Sequence, residues 1–131
     1  MSFVFSKTYD YDDFGFGNSN ETLTLTVTDT ASNSVTDTVT ISISKSDDQD
    51  PTCSVSANDS TVELKTSSQS QTVTFTVVAS DNRAIDSVTI GGATSTGSSG
   101  NNYTFTKTYS YGDYSFGTSS DTLTATATDA A

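Results

Sequence analysis

The chain has 131 residues, of which 32% are hydrophobic, and it carries a net charge of −11 with five Lys and Arg residues and no His. A surface this acidic repels nucleic acid and anionic lipid and attracts cations, so we expect neither a nucleic-acid partner nor membrane insertion. Without His, with one cysteine and without a Gly-rich phosphate loop, the common catalytic constellations cannot be assembled, and we do not expect an enzyme.

Apolar residues alternate with Thr or Ser along most of the chain, which contains 26 Thr and 23 Ser. This alternation is typical of half-buried strands, and Thr at the outward positions gives a soluble strand without charge. No segment has helical periodicity, so an all-β chain is predicted. The predicted strands are 34–46, 53–57, 60–66, 71–79, 85–91, 103–111 and 121–128, with a short strand within 92–100; the last two long strands have counterparts at 3–11 and 21–28.

An internal repeat organises these strands. Residues 3–31 recur as residues 103–131 at an offset of 100 residues without a gap, and sixteen of the 29 aligned positions are identical. A period of about 100 residues is the usual size of an immunoglobulin-like antiparallel β-sandwich, so repeats in tandem are predicted. Residues 1–46 would be the C-terminal strands of one repeat, 47–51 a linker, and 52–131 the next repeat without its last strand.

The alternation also predicts which side chains form the core of the second repeat. These are Val73, Phe75, Val77, Ala79, Ile85, Val88, Ile90, Tyr103, Phe105, Tyr109, Tyr111, Leu123, Ala125 and Ala127. Cys53 is expected to be a small buried hydrophobe, and as the single cysteine it cannot form an intramolecular disulfide. The aromatic residues Tyr9, Tyr11, Phe14 and Phe16, with their counterparts at 109, 111, 114 and 116, are expected to pack at the end of the core or against a neighbouring repeat.

Three segments carry a resemblance to a known family. The run Thr-Val-Thr-Asp-Thr-Ala-Ser-Asn (26–33) is similar to a D-x-A-G-N hairpin, with Ser32 in the usual Gly position. The loop 79–82 followed by 85–88, and the linker Asp-Asp-Gln-Asp-Pro (47–51), are the others. The chain resembles the bacterial immunoglobulin-like and cadherin-like tandem repeats of giant surface adhesins, and also hyalin-type repeats. The resemblance implies a secreted or cell-surface stalk, or a component of a biofilm or filament.

Acidic loops are predicted to meet at the junction of the two repeats, because an antiparallel sandwich returns alternate loops to the same end. The predicted metal ligands are Asp47, Asp50 and Asp81, followed by Asp48, Asn82 and Asp129, and then Asp12 and Asp13. Calcium takes six to eight oxygen ligands in a flexible geometry, which suits such a cluster. We therefore expect calcium to stiffen the array; solvated acidic loops without an ion are the alternative.

The expected function is structural or adhesive: an extender or filament module whose partners are the neighbouring repeats of the same protein. The alternative is a carbohydrate-binding or ice-binding module. In that case the aromatic cluster would stack on a surface glycan, or the Thr row 22–28 would face a polysaccharide or ice. The twist of sandwich sheets matches a flat lattice poorly, which favours a solvated Thr face.

Strand 121–128 is predicted to lack a partner on one edge, and the matching strand 34–46 lies in the same chain. Residues 47–51 span at most about 18 Å, whereas a strand of ten residues is about 33 Å long, so the chain cannot readily complete itself. Donation to the next molecule would give a head-to-tail homopolymer. Against this, the donor strand already has a neighbour at 22–29. The alternative is that the following residues of a longer array supply the strand.

Overall fold

The computed structural model describes residues 1–130, and they form only antiparallel β-strands and two single-turn 3-10 helices. The chain divides into two compact units, Met1–Asp47 and Asp48–Ala131. The strands are β1 (Gly17–Thr28), β2 (Ser34–Lys45), β3 (Thr52–Ala57), β4 (Ser70–Ser80), β5 (Ile85–Ile90), β6 (Thr94–Ser99), β7 (Asn102–Ser110) and β8 (Ala125–Asp129), and the 3-10 helices are Tyr11–Asp13 and Tyr111–Asp113. The all-β prediction is confirmed. No helix in the described part of the chain is long and apolar enough to cross a membrane.

The first unit is built on one hairpin. β1 and β2 pair over their full lengths, from Gly17 opposite Lys45 to Thr28 opposite Ser34. The prediction of a strand at 3–11 is wrong, since residues 1–10 belong to no strand. The equivalent stretch of the second unit, 103–111, lies almost entirely in β7, which is paired on both edges, by β4 and β6. The described part of the first unit contains no counterpart of those two strands, so this segment has nothing to pair with.

The second unit has two sheets, one of four strands in the order β3-β4-β7-β6 and one of two strands, β5-β8. Val73, Phe75 and Val77 of β4 and Phe105 and Tyr109 of β7 form the core. Ile90 of β5 is buried in the same core, and Ala125 of β8 packs against it. Side chains of both sheets therefore meet in one apolar layer, which is consistent with a β-sandwich.

Most predicted core positions of the second unit are buried or half-buried, and three predictions about its strands are wrong. Residues 60–66 form no strand, although Val62 and Leu64 still pack against the core. The last strand begins at Ala125 rather than at residue 121. Cys53 is exposed, because β3 is an edge strand of its sheet and none of its side chains is buried.

Candidate metal site

Asp81 begins the turn that follows β4. Its Oδ2 atom accepts a hydrogen bond of 2.8 Å from the backbone N–H of Arg83, and this Asx turn holds the carboxylate in one orientation. Its Oδ1 atom is buried and accepts no hydrogen bond within the described part of the chain. A buried carboxylate oxygen is costly unless it is paired, so this atom favours a ligand that the polypeptide does not supply.

Asp129 and Asp47 lie on other segments of the chain. Asp129 is the last residue of β8, and the N–H of Ala130 donates a hydrogen bond of 3.1 Å to the carbonyl of Ala84, which keeps the end of β8 beside the start of β5. Asp47 follows β2, in the segment that leads to β3. Both side chains are half-buried, which reduces the screening of their charges by water.

The second unit brings Asp81 and Asp129 together. One carboxylate oxygen of Asp81 lies within 4.8 Å of one of Asp129, and we call these two residues the acidic pair. Two ionised carboxylates at this distance repel each other, and a bound cation would reduce the repulsion. Oxygen ligands surround Ca²⁺ at about 2.3–2.6 Å, so oxygens up to about 5 Å apart can share one ion. The donor set therefore fits calcium, with carbonyls or water as the further ligands.

The other predicted ligands lie outside this pair. Asp47 belongs to the first unit. Asp48 and Asp50 share the segment of Asp47 but are exposed, and Asn82 is exposed in the same turn as Asp81. Asp12 and Asp13 are exposed in the 3-10 helix of the first unit. There Asp13 closes the helical turn by accepting a hydrogen bond of 3.2 Å from the backbone N–H of Asp10, a structural role rather than a ligand role.

The repeat provides an internal comparison for Asp129. Its counterpart, Asp29, uses both carboxylate oxygens to hold the β1–β2 turn: Oδ1 accepts from the N–H groups of Ala31 and Asn33 at 2.8 and 2.9 Å, and Oδ2 accepts from the Asn33 side chain at 3.0 Å. The side-chain and backbone hydrogen bonds from Asn33 hold the pKa of Asp29 below its usual value.

Sequence reasoning did not single out Lys45, the last residue of β2. Its ammonium donates hydrogen bonds of 2.8 Å to the carbonyls of Tyr11 and Phe14. It also lies 3.7 Å from the ring centroid of Tyr11 and 5.0 Å from that of Phe16, within the range of cation–π attraction. The available signal was its rarity, since only five residues of this chain are Lys or Arg.

Comparison with protein-family models, with curated proteins and with solved structures gave no match. The function of the chain is therefore inferred from its own repeat, sheets and side-chain clusters.

Proposed function

We propose that this chain is part of an extracellular tandem array of immunoglobulin-like sandwich repeats, with a structural or adhesive role, in which calcium binds at the acidic pair. The strand order supports the fold. Taken in chain order, β3 to β8 match strands A to F of a constant-type immunoglobulin domain, where A-B-E-D form one sheet and C and F belong to the other. On the same scheme β1 and β2 are strands F and G of the preceding repeat.

The recurrence of local geometry supports the tandem array. The rings of Tyr11 and Phe16 are 6.3 Å apart at 81°, and those of Tyr111 and Phe116 are 6.3 Å apart at 80°. The aromatic pairs 9/14 and 109/114 are separated by 5.9 and 6.1 Å. Gly17 and Gly117 both have positive φ, at 104° and 113°. Two stretches 100 residues apart therefore fold in the same way, as neighbouring copies of one module would.

The observation that carries the calcium proposal is the acidic pair with its buried oxygen on Asp81. Extracellular calcium modules have dissociation constants of about 10⁻⁴–10⁻³ M, which suits a half-buried site with two carboxylates. Bound calcium would neutralise part of a chain with a net charge of −11 and would hold the turn after β4 to the end of β8. A stiffened end of the repeat is what an extended stalk needs.

The test compares melting temperatures in millimolar calcium and in excess EDTA. Because an ion that binds only the folded state stabilises it, calcium should raise the melting temperature of the purified protein. Asp81→Asn should abolish the rise, whereas Asp86→Asn, which changes an exposed carboxylate on β5 outside the acidic pair, should preserve it. Equal melting temperatures in calcium and EDTA, together with no heat of binding in calorimetry, would refute the calcium site.

One observation favours a second function, binding to a polysaccharide or to ice. On β4 and β7 the threonines are paired across the strands: 72 with 108, 74 with 106, and 76 with 104. In the first unit, Thr22 of β1 and Thr40 of β2 are paired in the same way, with their hydroxyls 3.2 Å apart. Rows of hydroxyls spaced by the strand separation of about 4.8 Å present a repeating polar surface. Thermal hysteresis in solution, or saturable binding on a glycan array that Thr74→Lys abolishes, would establish this function instead.

A further inference from the structure

The first unit shows how the F-like strand β1 is completed. β2 runs beside it over twelve residue pairs and ends at Lys45, whose ammonium is held by the carbonyls of Tyr11 and Phe14 and by the Tyr11 and Phe16 rings. We call this group of rings and carbonyls the lysine socket. It closes the end of the hairpin with two charge-assisted hydrogen bonds and a cation–π contact, all from one side chain.

The second unit contains the same socket. Tyr111 and Phe116 repeat the edge-to-face geometry of the first copy. Tyr114 has φ −128° and ψ 147°, and Phe14 has −129° and 146°, so the backbone that presents the carbonyls follows the same course. Phe16 is half-buried, whereas Phe116 is 96% exposed. No lysine of the second unit takes the place that Lys45 has in the first: Lys107 pairs with Asp121, and Lys65 pairs with Glu63.

The strand that follows the socket differs between the two copies. β1 is a strand from Gly17 to Thr28, but in the second copy residues 117–124 form no strand and β8 begins at Ala125. Seven of the twelve residues of β1 are identical to those at 117–128, and the two copies also differ in their partners: β1 pairs with β2, while within residues 1–130 β8 pairs with β5 alone. The shorter strand of the second copy is consistent with the lack of a β2-like partner.

A cleft lies beside the unpaired segment. It has a volume of about 1170 Å³, and its apolar lining includes Val62, Leu64, Val73, Phe75, Tyr111 and Leu123. A strand added to the free edge of β8 would run along this cleft and place every second side chain against it. β2 has the matching pattern, with Val35, Val39, Ile41 and Ile43 at alternate positions and Lys45 at the end. The cleft and the lysine socket together therefore fit a β2-like strand that ends in a lysine.

We propose that the free edge of β8 and the socket of Tyr111 and Phe116 bind strand β2 of a second copy of this chain. The register follows from the first unit: the incoming Lys45 lies opposite Gly117, Val39 opposite Leu123 and Val35 opposite Ala127. The proposal does not depend on the calcium site. It makes the module self-associating and gives it a defined place in a filament.

The β2 strand of the same molecule cannot reach this edge. In the proposed register the incoming Lys45 is opposite Gly117, about 40 Å along the strand from Asp129. β3 begins at the Asp129 end, since Thr52 is opposite Ser80 and the next residue, Asp81, forms the acidic pair with Asp129. The chain from Lys45 to Thr52 spans at most about 25 Å, which is too short for donation to its own second unit.

β2 can be released because the hairpin that holds it is weak. A two-stranded hairpin is marginally stable in water, and in this one Val35 and Val39 remain 66% and 54% exposed. Transfer to a second copy keeps the strand pairing and the lysine socket and adds contact with the cleft. Each molecule would then offer one donor and one acceptor on different surfaces, and such a head-to-tail contact generates an open filament.

The first experiment measures the mass of the purified 131-residue chain by light scattering over a range of concentrations. We expect a ladder of oligomers that grows with concentration and that Phe116→Ser abolishes. Because Phe116 is 96% exposed, this variant should keep its fold, as circular dichroism would verify. The matched control is Phe16→Ser, which removes the same ring from the donor hairpin and should leave oligomers in place. A monomer at all concentrations, or oligomers that Phe116→Ser does not affect, would overturn the proposal.

The second experiment adds a synthetic peptide of residues 34–46 to the Phe16→Ser and Phe116→Ser proteins and follows amide hydrogen exchange. Peptide binding to Phe16→Ser should protect the amides of residues 117–124, and Phe116→Ser should lose this protection. A peptide with Lys45→Met should bind roughly tenfold more weakly, because it keeps the stem and loses the ammonium. The peptide could protect the amides of residues 117–124 in a chain that stays monomeric. In that case the edge of β8 would accept a strand, but the donor would not be a second copy of this chain, and the proposal would fail.

Discussion

The hydroxyl of Tyr109 donates a hydrogen bond of 2.9 Å to Oδ2 of Asp121, and the same oxygen accepts one of 2.6 Å from Lys107. Lys107 and Tyr109 are on β7, and Asp121 is in the segment before β8, so the group ties that segment to the four-stranded sheet. Hydrogen bonds from Lys107 and then Tyr109 hold the pKa of Asp121 below its usual value. Burial and the bond to Asp121 raise the pKa of Tyr109.

The first prediction concerns the pH dependence of stability. Because the folded pKa of Asp121 is lowered, its contribution is complete above the unfolded value of about 3.9 and is lost as the pH falls through the folded value. The pKa of Lys107 is raised by the Asp121 hydrogen bond, so its contribution is present below about 10.4 and is lost as the pH rises through its folded value. Urea unfolding across the pH range should therefore show a plateau between these limits.

A variant and a matched control isolate the Asp121 contribution. Asp121→Asn should lower the plateau and flatten the fall of stability below about pH 4, since the titrating group is gone. Asp86→Asn changes a carboxylate that is exposed on β5 and should leave the acid limb unchanged. If the free energy of unfolding falls with the same slope below about pH 4 in both variants, Asp121 is not a source of the pH dependence.

The second prediction concerns Ser32 in the β1–β2 turn. Ser32 has φ 70°, in the left-handed region that favours glycine, and it is the only non-glycine residue with positive φ among residues 1–130. Ser32→Gly should stabilise the hairpin by about 0.5–1 kcal/mol. Glycine relieves the backbone strain at this φ, and the greater conformational entropy of glycine in the unfolded chain offsets part of that gain. Amide exchange of β1 and β2 should slow roughly two- to fivefold.

The control for Ser32 is a glycine placed two residues further along. Ser34 begins β2 and pairs with Thr28, so Ser34→Gly puts the flexible residue in an extended position. That change should speed exchange of the hairpin amides rather than slow it. Faster exchange in Ser32→Gly as well would mean that the turn gains nothing from glycine.

The third prediction concerns the thiol of Cys53. Because its side chain is exposed on the edge strand β3, it should react with a thiol reagent in the folded protein nearly as fast as in urea. Oxidation should likewise give a disulfide-linked dimer, which Cys53→Ser prevents. Protection of the thiol until the protein unfolds would restore the buried position expected from the strand pattern.

The sequence predicted the strands well where apolar residues alternate and both neighbours are present. β4 and β7 lie within one residue of their predicted bounds, and Val73, Phe75 and Phe105 are buried as expected. Two of the failures share one cause, because strand formation depends on a partner that the local pattern does not reveal. Residues 3–11 and 121–124 carry the pattern of a strand, and neither forms one where no partner strand is described.

The acidic pair was only partly visible in the sequence. Asp81 and Asp129 were among eight predicted ligands, and strand topology was enough to suggest that the loops that carry them meet. Which carboxylates face one another depends on turn geometry, such as the hydrogen bond that orients Asp81, and no residue pattern encodes that orientation. Lys45 was missed for the same reason, since its role comes from carbonyls of a segment 31 residues or more away in the chain.

The last prediction uses the repeat to separate sequence from environment. Phe105 and Phe5 occupy equivalent positions, but Phe105 is 3% exposed in the core of the second unit and Phe5 is 78% exposed. Phe105→Ala should cost about 3–5 kcal/mol, through lost burial and the cavity that remains, which is enough to unfold a marginal domain. Phe5→Ala should change the free energy of unfolding by less than about 0.5 kcal/mol. Chemical denaturation of the two variants checks this, and equal losses of stability would mean that Phe5 is also packed in a core.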